Sequence, residues 1–249
     1  MNSYKVYFIN LEKSVVRKKF MENQFSNYDI LFERFPAING KELSTEFIKY
    51  AKNQQKLFKH YPLLNHGEIG LTKSYLDLWK VISNQNEKFA IVFEDDVLIN
   101  KDFFEDLDSI LQNITSEDYV DISGKKGVFK TGEQFLTDLY IIPPRGTTGQ
   151  IIGRDAAIKL RKNIIEYQAP IDVMLQEVHN HKVKMLCSKK VYVTHNDYEV
   201  GGTTIQSKDM IKAKKIIREL IRPLWQFSSL LSYKINRCIR NYIFYVKRT

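Results

Sequence analysis

Short apolar segments of strand length alternate with longer segments of helical periodicity through most of this 249-residue chain. The apolar segment Phe89–Phe93 has the length of a buried strand, whereas in Glu68–Ser83 apolar residues recur near helical spacing. Because strands joined by helices form crossover units, the alternation predicts an α/β fold with a mostly parallel central sheet covered on both faces. The predicted strands are Lys5–Ile9, Leu31–Phe35, Phe89–Phe93, Tyr119–Ile122, Gln150–Ile152 and Val191–Thr194, and the predicted helices are Glu12–Phe25, 42–60, Glu68–Ser83, Asp102–Ile114, Arg154–Leu160 and 171–181.

The net charge of +9 is confined to the end of the chain. Residues 212–249 hold ten lysines and arginines and one glutamate, whereas residues 1–211 hold 28 basic and 28 acidic residues. The body is therefore neutral, which argues against nucleic-acid binding over its whole surface. The change in composition divides the chain into a globular domain, residues 1–205, and a basic tail, residues 206–249.

The cysteine content and the length of the apolar runs indicate the cellular compartment in which the protein is expected. Two cysteines, Cys187 and Cys238, cannot form the disulfide framework of small secreted proteins. The apolar stretch Val6–Ile9 is too short for a secretory signal, and no apolar run approaches the roughly 20 residues of a membrane span. We therefore expect a cytoplasmic protein, either soluble or peripheral to a membrane.

The sharpest chemical pattern is the acidic triplet Glu94, Asp95 and Asp96, which directly follows the predicted strand Phe89–Phe93. Adjacent carboxylates repel one another, so a folded site must neutralise them. Ligands of open parallel sheets bind just beyond the carboxyl ends of the strands. Mg²⁺ or Mn²⁺ prefers acidic oxygens and can also hold a diphosphate. The pattern therefore indicates a metal site, and the alternative is a solvated acidic turn.

Four blocks of sequence resemble glycosyltransferase family 25, which includes lipooligosaccharide galactosyl- and glucosyltransferases and collagen galactosyltransferases. All four occur in the family's order between about residues 4 and 100, and weaker similarity continues to about residue 196. Four blocks in register make the resemblance specific. The blocks are Ile9–Ser14 with Arg17, Phe35–Gly40, Gly67–Gly70 with Ser74 and Trp79, and Phe93–Val97.

Three positions depart from the family's pattern. Val16 stands where the family usually has an aspartate before the arginine. Leu71 stands in place of a cysteine, and Tyr75 stands in place of a histidine. If that histidine contacts the donor or the acceptor, this chain has replaced the contact, so the departures bear on the sugar more than on the reaction class.

The resemblance implies a GT-A-like fold, which is a single nucleotide-binding domain that uses a nucleotide-sugar donor and a divalent cation, Mn²⁺ or Mg²⁺. It implies an inverting hexosyltransferase that moves galactose from UDP-galactose onto a lipooligosaccharide or lipopolysaccharide acceptor, with a β-1,4 linkage as the expected product. UDP-glucose is the alternative donor. The expected metal ligands are Asp96, Glu94 and His195, and the expected donor-binding residues are Asn10, Leu11, Arg17, Ala37, Gly40, Glu68, Ser74, Glu94, Asp95, Gly146 and Thr147.

An inverting transfer also needs a base that takes the proton from the acceptor hydroxyl. Asp172 follows Pro170 and matches a later aspartate of the family, so it is the first candidate, with N-capping of a helix as its alternative role. Asp121, at the end of a predicted strand, is the second candidate. His195 closes the last predicted strand, and imidazole is an acceptable Mn²⁺ ligand, although a lone histidine is more often structural.

The basic tail contains two predicted amphipathic helices separated by Pro223. In each helix, apolar residues share one side and basic residues fill the other. This pattern is typical of helices that lie in an anionic membrane surface, where a lipid-linked acceptor would be found. It predicts a peripheral protein on the inner face of a bacterial inner membrane, and the alternative is a helix pair that packs on the body or on another subunit.

A second hypothesis treats the chain as a non-catalytic adaptor that binds a membrane through its basic tail. It predicts that deletion of residues 206–249 removes all activity, whereas a truncated transferase would still act on soluble acceptors. No nucleic-acid partner is expected, because the chain has no recognised RNA-binding motif and the tail's aromatic residues fall on the apolar side. A glycoside hydrolase with two carboxylates fits the resemblance poorly.

Overall fold

The computed structural model describes residues 3–56, 63–124, 128–130, 137–143 and 145–196. These residues form an α/β domain in three layers, with helices on both faces of one large sheet. Within this part of the chain, no helix combines the length and the apolar character that crossing a bilayer requires. The amphipathic helices predicted in residues 206–249 lie outside the described residues.

Most of the described strands belong to the large sheet. The strands are β1 (Tyr4–Leu11), β2 (Glu33–Ala37), β3 (Phe89–Glu94), β4 (Val97–Ile99), β5 (Asp118–Asp121), β6 (Val128–Lys130), β7 (Thr137–Ile142), β8 (Gly149–Gly153), β9 (Lys184–Ser188) and β10 (Val193–His195). The order across the large sheet is β2-β1-β3-β8-β5-β9-β7-β6, and only β7 and β8 run against the other six. The predicted α/β class with a mostly parallel sheet is confirmed.

The described helices connect these strands. They are α1 (Val15–Asn27), α2 (Thr45–Lys56), α3 (His66–Asn84), α4 (Asp102–Gln112), α5 (Arg154–Asn163), α6 (Ile171–Met174) and α7 (Val178–His181), with a 3-10 turn over Gly40–Glu42. α3 begins with a capping box, in which the Asn65 side chain accepts from the Glu68 N–H and the Glu68 carboxylate accepts from the Asn65 N–H. These bonds satisfy backbone donors at the helix start and fix where α3 begins.

Alternate residues of β1 and β3 enter two separate cores. Tyr7 and Val92 face α3 and α5, where they share a core with Trp79. Phe8 and Phe93 face α1 and α4 in the other core. This two-residue period is that of strands buried on both faces. Full burial of one such apolar side chain contributes about 1.5–3 kcal/mol, so the strands are firmly held between the helix layers.

The strands β1, β2 and β3 are parallel, so their carboxyl ends lie side by side, at Leu11, Ala37 and Glu94. β2 lies at the border of the sheet and contains Pro36. Proline cannot donate to the ladder, and a border strand tolerates that loss. The segments that follow β1, β2 and β3 therefore lie close together beyond the carboxyl ends of these strands.

A second sheet pairs β4 with β10 in antiparallel orientation. β4 follows the acidic triplet directly, and His195 of β10 lies opposite Val97. The Asn196 N–H also donates to the Asp96 carbonyl at 2.8 Å. The small sheet thus brings His195 to the acidic triplet.

The prediction of one helix over 171–181 is wrong, because the described chain forms the separate short helices α6 and α7. At the break the N–H groups of Gln176 and Glu177 donate to the carbonyls three residues before them, and the His181 ring pairs with the Leu175 carbonyl at 3.0 Å.

Other predicted elements differ in extent. The strand predicted at Val191–Thr194 begins at Val193 and belongs to the second sheet. The helix predicted over 42–60 begins at Thr45, after the 3-10 turn, and residues 57–62 lie outside the described chain. The short strands β4, β6, β7 and β9 are absent from the prediction, because three to six residues carry too little periodicity to identify a strand.

Candidate active site

A cavity of about 370 Å³ opens where β1, β2 and β3 end. Its acidic wall consists of Arg17, Glu94, Asp95, Asp96 and His195. Its backbone wall consists of Ala37, Ile38, Asn39, Gly40 and Lys41 after β2, and of Asn65, His66, Gly67, Leu71 and Ser74 at the start of α3. Ile9 and Leu11 of β1 complete the lining. Ligands of α/β sheets bind at this kind of edge, so the cavity is the candidate active site.

Asp95 is the buried member of the acidic triplet, and both of its oxygens accept hydrogen bonds. Oδ1 accepts from Arg17 Nη1 at 2.7 Å, and Oδ2 accepts from Asn10 Nδ2 at 2.7 Å. Asn10 Oδ1 accepts in turn from Arg34 Nε at 3.0 Å. Asn10 is therefore engaged with Asp95 and is not in the cavity lining, while Arg17 lines the cavity and holds Asp95 at the same time.

Asp95 and Asp96 differ in their tendency to ionise. Burial raises the pKa of Asp95, although Arg17 opposes that effect. Burial acts in the same direction on Asp96, but His195 and Arg17 outweigh it and lower the pKa of that carboxyl. Burial opposes the charge of Arg17 as well, yet the two aspartates outweigh it and raise the pKa of the guanidinium. Asp96 is thus the residue of this pair that readily carries a negative charge beside the cavity.

Glu94, Asp96 and His195 form a compact set of candidate metal ligands. One ligand atom from each lies within 4.8 Å of the others. Asp96 Oδ2 accepts from Arg17 Nη1 at 2.9 Å, whereas the buried Oδ1 has no hydrogen-bond partner among the described residues and lies 3.8 Å from His195 Nδ1. Two carboxylates and an imidazole are a donor set that Mn²⁺ accepts. The residues present therefore fit a divalent cation.

Two adjacent threonines contact members of this set. Thr147 Oγ1 donates to Glu94 Oε1 at 2.5 Å, and Thr148 Oγ1 lies 3.0 Å from His195 Nε2. The Glu94 N–H donates to the Thr148 carbonyl at 3.1 Å, which continues the pairing of β3 with β8. Thr147 was expected to bind the donor, and the structure places it against Glu94 instead of in the cavity lining. Thr148 has no distinguishing signal in the sequence.

The backbone wall depends on close backbone contact. A Cβ on Gly40 would overlap the His66 carbonyl, and a Cβ on Gly70 would overlap the Ile38 carbonyl. Ser74 Oγ joins the same segments, since it accepts from the Ile38 N–H and donates to the Gly70 carbonyl, both at 2.8 Å. The wall therefore needs glycine at both positions for the two backbones to approach.

Some of the residues that were expected to bind the donor line the cavity, whereas others lie outside the lining. Leu11, Ala37, Gly40 and Ser74 line the cavity, whereas Glu68 serves in the capping box of α3 and does not. Lys41, His66, Asn39 and Asn65 line it as well and are absent from the prediction. Nothing in the sequence separates Lys41 from the chain's other lysines, because its place in the wall depends on the fold.

The two candidate bases lie outside the cavity lining. Asp121 accepts at Oδ1 from the Ser123 N–H at 2.8 Å and from the Ser123 hydroxyl at 2.6 Å. Burial raises the pKa of Asp172, and Arg145 and the N–H groups of Val173 and Gly146 act in the opposite direction. Gly146 thus contacts the Asp172 carboxylate. The N-cap of α6 is Pro170, so Asp172 lies in the first turn and does not cap the helix.

Comparison with known proteins identifies the family. The sequence model described as "Glycosyltransferase family 25 (LPS biosynthesis protein)" matches residues 3–148, which is more than half of the chain. The chain belongs to glycosyltransferase family 25. The matched segment includes the acidic triplet and both walls of the cavity except His195.

Three relatives of this chain carry names that describe different glycosylation roles. The chain is 26% identical to a glycosyltransferase 25 family member of Drosophila melanogaster, over 63% of this chain and 27% of that protein. It is 25% identical to human procollagen galactosyltransferase 2, over 70% of this chain and 30% of that protein. It is 29% identical to the lipooligosaccharide biosynthesis protein lic2B of Haemophilus influenzae, over 38% of this chain and 34% of that protein. The chain thus matches about a third or less of the length of each relative.

A solved structure offers a weaker comparison. The crystal structure of a glycosyltransferase involved in the glycosylation of the major capsid of PBCV-1 aligns with 87% of this chain and 98% of that chain. The sequence identity is 10% and the TM-score is 0.38. A score this low supports no conclusion about the fold or the activity of this protein.

Proposed function

We propose that this family 25 protein is a metal-dependent, inverting glycosyltransferase with a GT-A-like fold, which transfers a hexose from a nucleotide-sugar to an oligosaccharide acceptor. The observation that carries the proposal is the set Glu94, Asp96 and His195 in the acidic wall, with the buried Asp96 Oδ1 lacking a hydrogen-bond partner among the described residues. The two carboxylates follow the carboxyl end of the parallel strands, His195 joins them from the second sheet, and the set suits a divalent cation beside a diphosphate.

Each wall has a role in this proposal. Glu94, Asp96 and His195 would hold Mn²⁺ or Mg²⁺, which when bound supplies a Lewis acid that stabilises charge on the diphosphate leaving group. Arg17 holds Asp96 in place and keeps a positive charge in the cavity. The backbone wall would receive the nucleoside, where Lys41 adds a second positive charge.

The proposed base is Asp172, with Asp121 as the second candidate. Burial raises the pKa of Asp172, and a raised pKa favours acceptance of a proton from the acceptor hydroxyl. Asp121 Oδ1 already accepts from the Ser123 N–H and from the Ser123 hydroxyl. The variants Asp172→Asn and Asp121→Asn separate the two candidates. The variant of the base should lose kcat at saturating donor, and the other should retain it.

UDP-galactose is the proposed donor and a lipooligosaccharide or lipopolysaccharide the proposed acceptor, joined by a β-1,4 linkage. The name of the human relative supports the choice of galactose and the name of the Haemophilus relative supports the choice of acceptor, with UDP-glucose as the alternative donor. We further propose that the basic tail, residues 206–249, binds the inner face of a bacterial inner membrane. Binding of the full chain to anionic but not to zwitterionic vesicles would support this role, and equal binding to both would contradict it.

The test of the activity is turnover of a panel of UDP-sugars with and without EDTA. We expect turnover that EDTA abolishes and added Mn²⁺ restores, and Asp96→Ala should be inactive while remaining folded. Asp77→Ala is the control, because Asp77 pairs with Lys73 on a partly exposed part of α3 outside the cavity lining. Turnover that EDTA does not affect, or no turnover with any UDP-sugar, would overturn the proposal.

A further inference from the structure

Tyr75 is fully buried in α3 and is not in the cavity lining, yet its hydroxyl reaches the segment beside the acidic wall. The hydroxyl donates to the Thr147 carbonyl at 3.1 Å. Gln150 Nε2 donates to the same carbonyl and also to the Tyr75 hydroxyl oxygen at 3.3 Å. One buried carbonyl therefore receives two side-chain donors, which together hold this peptide group in place.

The restrained peptide group joins the two threonines that contact the candidate metal ligands. On one side of it, the Thr147 hydroxyl donates to the Glu94 carboxylate. On the other side, the Thr148 hydroxyl pairs with the His195 ring. A shift of this peptide group would move both threonine hydroxyls, and with them two of the three residues in the set.

We propose that Tyr75 is a positioning residue for this metal set, acting through the Thr147 carbonyl on the hydroxyls that orient Glu94 and His195. The proposal rests on the proposed function, since it assumes that the set binds a cation. Groups that orient metal ligands change metal affinity by about 10–100-fold when they are removed. The Tyr75 hydroxyl donates to the Thr147 carbonyl, and the hydroxyls of Thr147 and Thr148 contact Glu94 and His195, so its hydrogen bond acts on the ligands through the threonines.

The first test is Mn²⁺ binding to the full chain without donor, measured by calorimetry. Tyr75→Phe removes only the hydroxyl, and we expect it to weaken binding about tenfold. Tyr7→Phe is the matched control, because Tyr7 is also buried and its hydroxyl donates to Gln85 Oε1 at 3.2 Å, away from the cavity lining. If the wild type binds Mn²⁺ and Tyr75→Phe binds it with the same affinity, the proposal is overturned and the proposed function is left intact.

The second test is hydrogen exchange on the metal-free chain. The Glu94 amide donates to the Thr148 carbonyl, so its exchange reports whether the segment is held. We expect severalfold faster exchange at Glu94 in Tyr75→Phe, with no change at the Asn100 amide and none in Tyr7→Phe. Unchanged exchange at Glu94 overturns the proposal.

The two measurements separate the two failures. If the wild type binds no Mn²⁺ while Glu94 exchange still rises in Tyr75→Phe, the metal site of the proposed function fails, and Tyr75 is shown only to order the segment. If Tyr75→Phe does not fold, Gln150→Leu removes the other donor to the same carbonyl, and the same two results are expected from it.

Discussion

The two walls of the cavity are built from different interactions. In the acidic wall, Arg17 donates to both Asp95 and Asp96, and charge holds the side chains in place. In the backbone wall, Gly40 and Gly70 let two backbones touch, and no charged pair is needed for that contact. Substitutions in the acidic wall should therefore change stability and ligand binding through charge, whereas substitutions in the backbone wall should change stability through the packing of α3.

The two walls also differ in the energetic cost of building them. Three neighbouring carboxylates in a partly buried site repel one another, and burial keeps the pKa of Asp95 raised although Arg17 and Asn10 donate to it. Proteins retain such unfavourable groups at functional sites. The backbone wall carries no comparable cost, so it supplies the rigid side of the cavity.

Arg17→Met should have the largest effect on stability. It leaves the Asp95 carboxylate buried without its charged partner, and breaking a buried pair in this way costs about 3–5 kcal/mol in the free energy of unfolding. Urea denaturation measures the loss. Lys159→Met is the control, because Lys159 pairs with Glu117 on an exposed surface, where such pairs contribute about 0–1 kcal/mol. An equal loss of unfolding free energy in both variants would show that the buried pair contributes no more to stability than the exposed pair.

Gly40→Ala tests the backbone wall and should cost about 1–3 kcal/mol, since the new Cβ would force the His66 carbonyl away. The neighbouring Lys41→Ala adds no atom and should change stability by less than about 0.5 kcal/mol. Thermal unfolding of both variants measures the difference. A Gly40→Ala protein as stable as the wild type would mean that α3 can move away from the segment after β2 without loss.

Asp106→Asn should have the smallest effect and gives a partly exposed baseline for the acidic wall. Hydrogen bonds from Lys190 and Tyr192 lower the pKa of Asp106, so its contribution is present above its ordinary value of 3.8 and is lost as pH falls through the lowered pKa. Urea denaturation of wild type and variant should differ most at pH 7, and the difference should shrink as the pH is lowered below 3.8. A difference that stays constant as the pH falls would contradict a charge-based contribution.

The sequence predicts best what is local. The strands β1 and β3 are predicted from short apolar runs, and the acidic triplet is visible because it directly follows the apolar run Phe89–Phe93. His195 is predicted correctly as a neighbour of Asp96, through its position at the end of a strand and the family resemblance. Whether it binds a metal stays a prediction.

The rest of the site depends on contacts between distant segments. The inward orientation of Asp95 requires Asn10 and Arg17, which come from β1 and α1. Thr148 is identified only once β8 lies beside β3, and Lys41 only once the segment after β2 meets α3. No periodicity or short motif encodes these juxtapositions, so they could not be predicted from the sequence.

We expect the acidic wall to bind a divalent cation through Asp96, and Mn²⁺ calorimetry on the full chain measures that binding. Asp96→Asn keeps the shape of the side chain and removes its charge, while Asp106→Asn makes the same change away from the cavity lining. We predict that the wild type and Asp106→Asn bind Mn²⁺ equally and that Asp96→Asn, while remaining folded, binds it more than about 100-fold more weakly. Equal binding by the wild type and Asp96→Asn would show that Asp96 does not hold the cation.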